Sequence, residues 1–402
     1  MTMTLALWLV GGAVVLLLML LVIVLIARSL ETKSSPAATT PASSKADAAA
    51  ATAMKALFGA ALGEKIAGAN KQSGKTSGKH ISLAIGGAVG AIFIGSAIAE
   101  FVDSSRPDPA SLEPIEISAG DLHGTLLSPK AKAPVVLIVP GSGPTDRNGN
   151  SPMGVNTDMY KLLAEGLARE GIATVRVDKR GMFGSKGAGD PNTVSVDIYA
   201  NDYRGWIHTI REQTGRKCVW LLGHSEGALM VSAAAQGRKD VCGLILVSGM
   251  GRKMGDVLRQ QLQDNPANAP LLDQAFAAIS ALEGGQHYDT TNMHPALLPL
   301  FAPPVQDFLI SVFAVDPVEA VRKARVRTLI VQGRNDLQVT VEDARLLNKA
   351  PRTKMELISD MNHVLKDAPF DRAGNLATYA NPSLPVSPRL VREIEDFIEN
   401  DD

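Results

Sequence analysis

The chain has 402 residues, of which 46% are hydrophobic, and its 40 basic and 41 acidic side chains leave a formal charge of −1. Such a length accommodates one large domain and substantial further sequence. The balanced charge excludes a global field that would gather nucleic acid, and two cysteines exclude a disulfide-rich scaffold.

Residues 1–27 are read as a first transmembrane helix, because 5–27 form an unbroken apolar run ending at Arg28 and about 20 such residues cross a bilayer. A cleaved signal peptide competes, but Met1-Thr2-Met3-Thr4 carries no positive charge and the apolar run is long for one. Residues 28–80 are rich in Ala, Ser and Lys, too poor in large apolar groups for a core, and read as a linker. Residues 81–102 form a second expected transmembrane helix, with a Gly86-x-x-x-Gly90 spacing that permits close helix approach. A soluble Gly/Ala-rich linker or an interfacial helix is the alternative there. Lys33, Lys45, Lys55, Lys65, Lys71, Lys75 and Lys79 place the linker in the cytoplasm by the positive-inside rule. With two spans the remaining domain is extracytoplasmic; with one it is cytoplasmic. The lipid bilayer is thus an expected partner.

From residue 112 to 402 the pattern changes. Runs 115–117 and 122–126 suggest an antiparallel hairpin turning at Gly120 and Asp121. Short β-branched runs at 135–139, 173–177, 219–222, 244–247, 328–331 and 355–358 read as buried strands. Helical periodicity fills 159–169, 198–211, 227–236 and 388–399 between or after them, with Pro388 suited to a first helical turn. Alternation of this kind predicts a mostly parallel sheet flanked by helices. Residues 253–324 interrupt it with helix-like stretches at 271–282 and 305–313, too long for one crossover, and are expected to form an inserted helical cap. Cys218 and Cys242 fall near the starts of two neighbouring strands, which leaves both buried thiols and a single disulfide open.

The run 219–222 leads straight into Gly223-His224-Ser225-Glu226-Gly227 and then into helix-forming residues. A sharp strand-turn-helix elbow of this type exposes a nucleophilic serine, whereas the bland alternative is a serine capping a helix. A hydroxyl is a weak nucleophile and needs a base, which in turn needs a carboxylate to orient it. Asp336, in the loop after 328–331, and His363, in the loop after 355–358, supply them in the order Ser, Asp, His. Asp360 is a second carboxylate, but it lies very close to His363 in sequence. Each of the pair read alone is an ordinary loop residue; together with Ser225 they predict a triad.

A tetrahedral intermediate also needs hydrogen-bond donors. The amide after the nucleophile, Glu226, is one, and the Ser142 amide in Val139-Pro140-Gly141-Ser142-Gly143-Pro144 is the other expected donor. The seven histidines are dispersed without an H-E-x-x-H spacing, so a metal hydrolase is disfavoured.

Taken together, Pro140 to Asn150, Asp178-Lys179-Arg180-Gly181, the elbow, Gly333-Arg334-Asn335-Asp336 and Asn362-His363 resemble bacterial α/β-hydrolases of the carboxylesterase and serine aminopeptidase-like group. The resemblance spans about 115–398. It implies an α/β-hydrolase fold and hydrolysis of small carboxylic esters, often with short acyl chains, with no metal or organic cofactor. The family commonly has Asp where Asn148 stands, which puts a charge role at that position in doubt. Asp146, Arg147 and Arg180 are read as either a polar network at the site entrance or structural loop contacts. The expected function is a membrane-tethered serine esterase. A peptidase or amidase shares the chemistry and would want a cap carboxylate such as Glu283 or Asp289; a non-catalytic membrane scaffold is the reading from a different class.

Overall fold

Val135–Val139, five apolar residues and four of them β-branched, forms the strand β3, with every residue buried. The equally buried β4 (Ala173–Val177), β5 (Val219–His224) and β7 (Thr328–Gly333) flank it or follow it, together with β6 (Val241–Val247) and β8 (Thr353–Ile358). Before them stands the expected hairpin, β1 (Ile115–Ala119) and β2 (Leu122–Leu127), in antiparallel pairing. These elements come from a computed structural model that describes residues 112–264 and 266–400. The expected segments at 1–27, 28–80 and 81–102 lie outside the described residues. Among the described residues no helix is long and apolar enough to cross a membrane.

The eight strands form one sheet in the order β1-β2-β4-β3-β5-β6-β7-β8. From β4 to β8 all neighbours are parallel, and β2 joins β4 antiparallel. Side chains alternate across the sheet, so Val135, Leu137 and Val139 enter one core while Val136 and Ile138 enter the other. The second core is covered by α1 (Met159–Arg169) and by the C-terminal helix. The first is covered by α2 (Val196–Thr214), α3 (Glu226–Ala234) and the cap.

The cap comprises α4 (Met254–Gln263), α5 (Leu272–Glu283), the single turn α6 (Leu298–Phe301) and α7 (Pro303–Phe313). It sits on α2, where Phe308 meets Tyr199 edge-on and Ser311 Oγ accepts from the Val196 amide. The cap ends short of the expected 324, because α8 (Pro317–Ala324) packs on α3 and serves as the crossover into β7. Periodicity over 253–324 cannot separate the two, since both are amphipathic helices with buried apolar faces.

Two further expectations are corrected. Of the β8 residues only Ile358 is buried, since this is an edge strand with Lys354 exposed, not an interior one. Short helices α9 (Val341–Leu347) and α10 (Arg372–Ala377) add to those expected; each is capped by a side chain, Thr340 and Asp371 respectively. The last helix, α11 (Pro388–Glu399), begins at the proline as expected.

Cys218 and Cys242 are joined in a disulfide. The β5–β6 register shifts between Val219 and Trp220, so that Val241 and Gly243 take successive partners and Cys242 is the extra residue. A bulge of this kind re-aims a side chain, here towards Cys218.

Candidate active site

The sheet order reverses at β3: the chain next adds β4 on one side and then β5 on the other. The carboxyl ends of β3 and β5 therefore open onto a crevice, the usual ligand position in an open parallel sheet. Two of the motifs singled out from sequence, the loop after β3 and the serine elbow after β5, meet there.

Ser225 occupies the elbow with φ 55° and ψ −122°, a conformation a non-glycine residue rarely adopts. Its amide is tied to the Val247 carbonyl at 3.0 Å, and α3 starts at the next residue. The glycines on either side are required by close approach. A Cβ on Gly223 would lie 2.3 Å from the Gly227 carbonyl oxygen, and one on Gly227 would lie 2.6 Å from that of Val139.

Asp336 and His363 come together as the sequence predicts. His363 Nδ1 lies 2.9 Å and 3.1 Å from the two carboxylate oxygens of Asp336. Asp336 also accepts from the amides of Gln338 and Val339 and from the side-chain amide of Gln332. Burial alone would raise its pKa, but His363 and the Val339 and Gln338 amides more than offset it, and the carboxyl stays below its usual value. An ionised Asp336 takes the Nδ1 proton in a hydrogen bond, which leaves His363 Nε2 as the basic nitrogen. Asp360 is exposed and does not contact the imidazole. Ser225 Oγ has no hydrogen-bond partner among the described residues; such bonds are often loose without substrate.

The two residues expected to supply oxyanion donors, Ser142 and Glu226, lie beside the elbow. Ser142 and Glu226 are buried, and neither amide has an acceptor among the described residues. Their side chains bond to each other, Ser142 Oγ donating to Glu226 Oε2 at 3.0 Å. Burial raises the Glu226 pKa, and Lys179 and Ser142 partly counter that.

Asp146, Arg147 and Arg180 do not form one network. Asp146 accepts from the amides of Asn148 and Asn150 in its own turn, Arg147 pairs with Asp178 and Glu116, and Arg180 pairs separately with Asp202. Asn148 accepts from the buried Arg176. No group of side chains among the described residues is arranged to hold a metal ion.

Sequence reasoning missed three buried polar residues beside the site. Tyr160 Oη accepts from the Gly141 amide at 3.0 Å and donates to His224 Nδ1 at 2.8 Å, and His224 Nε2 donates to the His363 carbonyl at 2.8 Å. Lys179 Nζ donates to the Gly141 carbonyl at 2.7 Å. His224 stands inside the elbow motif and Lys179 closely follows a fully buried strand, so the burial of both has a signal in the sequence. Their partners have none.

A family model described as serine aminopeptidase, S33, matches residues 153–280, a stretch that holds the elbow and much of the cap. The strand order and the elbow between β5 and α3 agree with that likeness. The chain has an α/β-hydrolase fold, and its middle section is similar to this family model. Among curated proteins, the chain is similar to the esterase EstD of Thermotoga maritima, 27% identical over 273 residues. That match covers 64% of this chain and 61% of EstD, so the chain spans about three fifths of that relative's length. Similar solved structures include Est1E from Butyrivibrio proteoclasticus with ferulic acid bound, at 18% identity and TM-score 0.45, covering 70% of this chain and 97% of that one. A Pyrococcus furiosus esterase is similar at 17% identity and TM-score 0.43, over 64% of this chain and 84% of its own.

Proposed function

We propose that this chain is an α/β-hydrolase acting as a serine esterase tethered to a membrane by its N-terminal segments, with Ser225 as nucleophile, His363 as base and Asp336 as orienting carboxylate. The observation that carries the reading is the buried Asp336–His363 pair, tied to the strained Ser225 elbow through the hydrogen bond from His224 to the His363 carbonyl. In this mechanism Ser225 Oγ attacks the ester carbonyl and passes its proton to His363 Nε2. The oxyanion forms between the Ser142 and Glu226 amides. Its collapse expels the alcohol, which takes the proton from His363. Water then attacks the acyl-enzyme with His363 again as base, releasing the carboxylic acid and restoring the Ser225 hydroxyl.

Ester cleavage is favoured over aminopeptidase chemistry by the state of the cap carboxylates. Glu283 is neutralised by Arg259 at 2.6 Å, and Asp289 is exposed and bonded to Thr291. Neither is held in reserve for a substrate ammonium. The name of the Thermotoga maritima relative points the same way.

The proposal extends to a position of the domain outside the cytoplasm. A disulfide between Cys218 and Cys242 favours an oxidising compartment, which agrees with both N-terminal apolar stretches spanning and the basic linker remaining inside.

Labelling with a fluorophosphonate probe tests the nucleophile: the wild-type chain is expected to label and Ser225→Ala to remain unlabelled. An unlabelled wild-type chain would sink the catalytic reading. A panel of p-nitrophenyl esters of graded acyl length then defines the substrate. Protease added to intact cells should degrade the domain, and protection would overturn its placement.

A further inference from the structure

Lys179 is 4% exposed and takes no part in the proton transfers of the proposed reaction. Burying an ammonium costs several kcal/mol unless strong contacts offset it. Among the described residues its one hydrogen bond goes to the carbonyl oxygen of Gly141, and the buried Glu226 is the charged group that acts on it. The choice of acceptor is informative. The Gly141 carbonyl and the Ser142 amide belong to the same peptide unit, and in a trans peptide the two groups point in opposite directions. A donor that grips the carbonyl from behind therefore aims the Ser142 N–H the other way. It also polarises the peptide, making that N–H a stronger donor.

The other side of Gly141 is held as well. Its own N–H can only donate, so Tyr160 Oη must be the acceptor, and the single Tyr160 proton then passes to His224 Nδ1. His224 consequently carries its proton on Nε2 and donates to the His363 carbonyl. One arrangement of protons satisfies all four groups. Tyr160 and His224 are 1% and 2% exposed, so solvent offers no easy substitute for a lost partner. The loop is also pressed against the nucleophile, since a Cβ on Gly141 would stand 3.1 Å from Ser225 Cβ.

We propose that Lys179 and Tyr160 are positioning residues that clamp Gly141 from its carbonyl and amide sides and thereby aim the Ser142 N–H at the developing oxyanion. The proposal rests on the esterase reading. It explains why a lysine and a tyrosine are buried behind a loop whose exposed face does the chemistry. Neither residue touches substrate. Their effect is confined to a donor that matters most when negative charge has formed on the carbonyl oxygen.

The test uses the full-length chain in detergent, with Lys179→Met and Tyr160→Phe chosen to keep side-chain volume. Steady-state kinetics on p-nitrophenyl acetate are combined with inhibition by phenylboronic acid, whose tetrahedral adduct with serine mimics the oxyanion, and by acetate as a ground-state product. Each variant is expected to lose on the order of 10- to 100-fold in kcat and in boronate affinity, with KM and acetate affinity within about twofold of wild type. A residue that merely supported the fold would not separate the two inhibitors. If a folded variant keeps its kcat and boronate affinity within about twofold, or loses boronate and acetate binding in parallel, the clamp is overturned. Should Lys179→Met fail to fold, Tyr160→Phe decides by the same criteria. Failure of both to fold assigns the two residues to stability alone and overturns it too. A wild-type chain that neither hydrolyses the ester nor binds the boronate would sink the esterase reading itself, and the clamp with it.

Discussion

His224 Nε2 donates a 2.8 Å hydrogen bond to the carbonyl oxygen of His363, so the residue before Ser225 holds the loop that carries His363. The two imidazoles lie 4.8 Å apart between centroids, both buried. Ser225 and the His363 loop thus share a tether that does not depend on any hydrogen bond between their side chains.

That tether is pH-sensitive in stability. Burial, with a smaller contribution from neighbouring His363, pushes the His224 pKa down to about 3 from an ordinary 6.5. The unfolded chain therefore binds a proton that the folded chain refuses throughout this window, and stability falls as pH drops from 6.5 towards 3. The slope from this one group is about 1.4 kcal/mol per pH unit at most. Urea unfolding between about pH 4.5 and 7 should show a shallower pH dependence for His224→Gln than for wild type. Equal slopes would refute the assignment.

Replacing the orienting carboxylate should leave the fold and remove most of the rate. Asp336→Asn keeps the shape but alters the donors and acceptors facing His363 Nδ1, favouring the wrong imidazole tautomer. A fall in kcat on the order of 10,000-fold is expected, with an unchanged far-ultraviolet dichroism spectrum. A loss below about tenfold would point to another carboxylate. Asp360, exposed and without contact to the imidazole, is a poor substitute.

The elbow tolerates no added methyl group. Gly223→Ala places a Cβ 2.3 Å from a backbone oxygen, which no rotamer change can relieve. A destabilisation of about 3 kcal/mol or more is expected, read as a lower midpoint in urea. Fluorophosphonate labelling should be lost even where the protein remains folded.

The disulfide stabilises without assisting catalysis. It closes a separation of 24 residues, which corresponds to roughly 3 kcal/mol from loop entropy. It precedes β5, at the end of that strand remote from Ser225. Cys218→Ser with Cys242→Ser should lower Tm while leaving kcat and KM on p-nitrophenyl acetate near wild type. An unchanged Tm in the presence and absence of reductant would show that the pair is not formed.

Much of the site is legible in the amino-acid sequence. Ser225, Asp336 and His363 stand at the ends of apolar runs, and the order of those runs restricts what a mostly parallel sheet can bring together. Met159–Arg169 and Pro388–Glu399 are readable to the residue because periodicity and a first-turn proline are local signals. The end of the cap is not, since α8 differs from the cap helices in what it packs against and not in its pattern. Nor is β8 as an edge strand, because exposure at a sheet edge depends on which strand fails to follow.

For Ser225 itself, the sequence alone determined the turn it occupies and the glycines that permit it, since strand, turn and helix lie within a short stretch of consecutive residues. Tertiary structure alone decided which amides beside it stay free, which cysteines pair, and that Gly141 is gripped by Lys179 and Tyr160. Those relationships join positions as far apart as the 139 residues between His224 and His363. A hydrogen bond is made by atoms within about 3 Å, and only the packed sheet brings such distant residues that close.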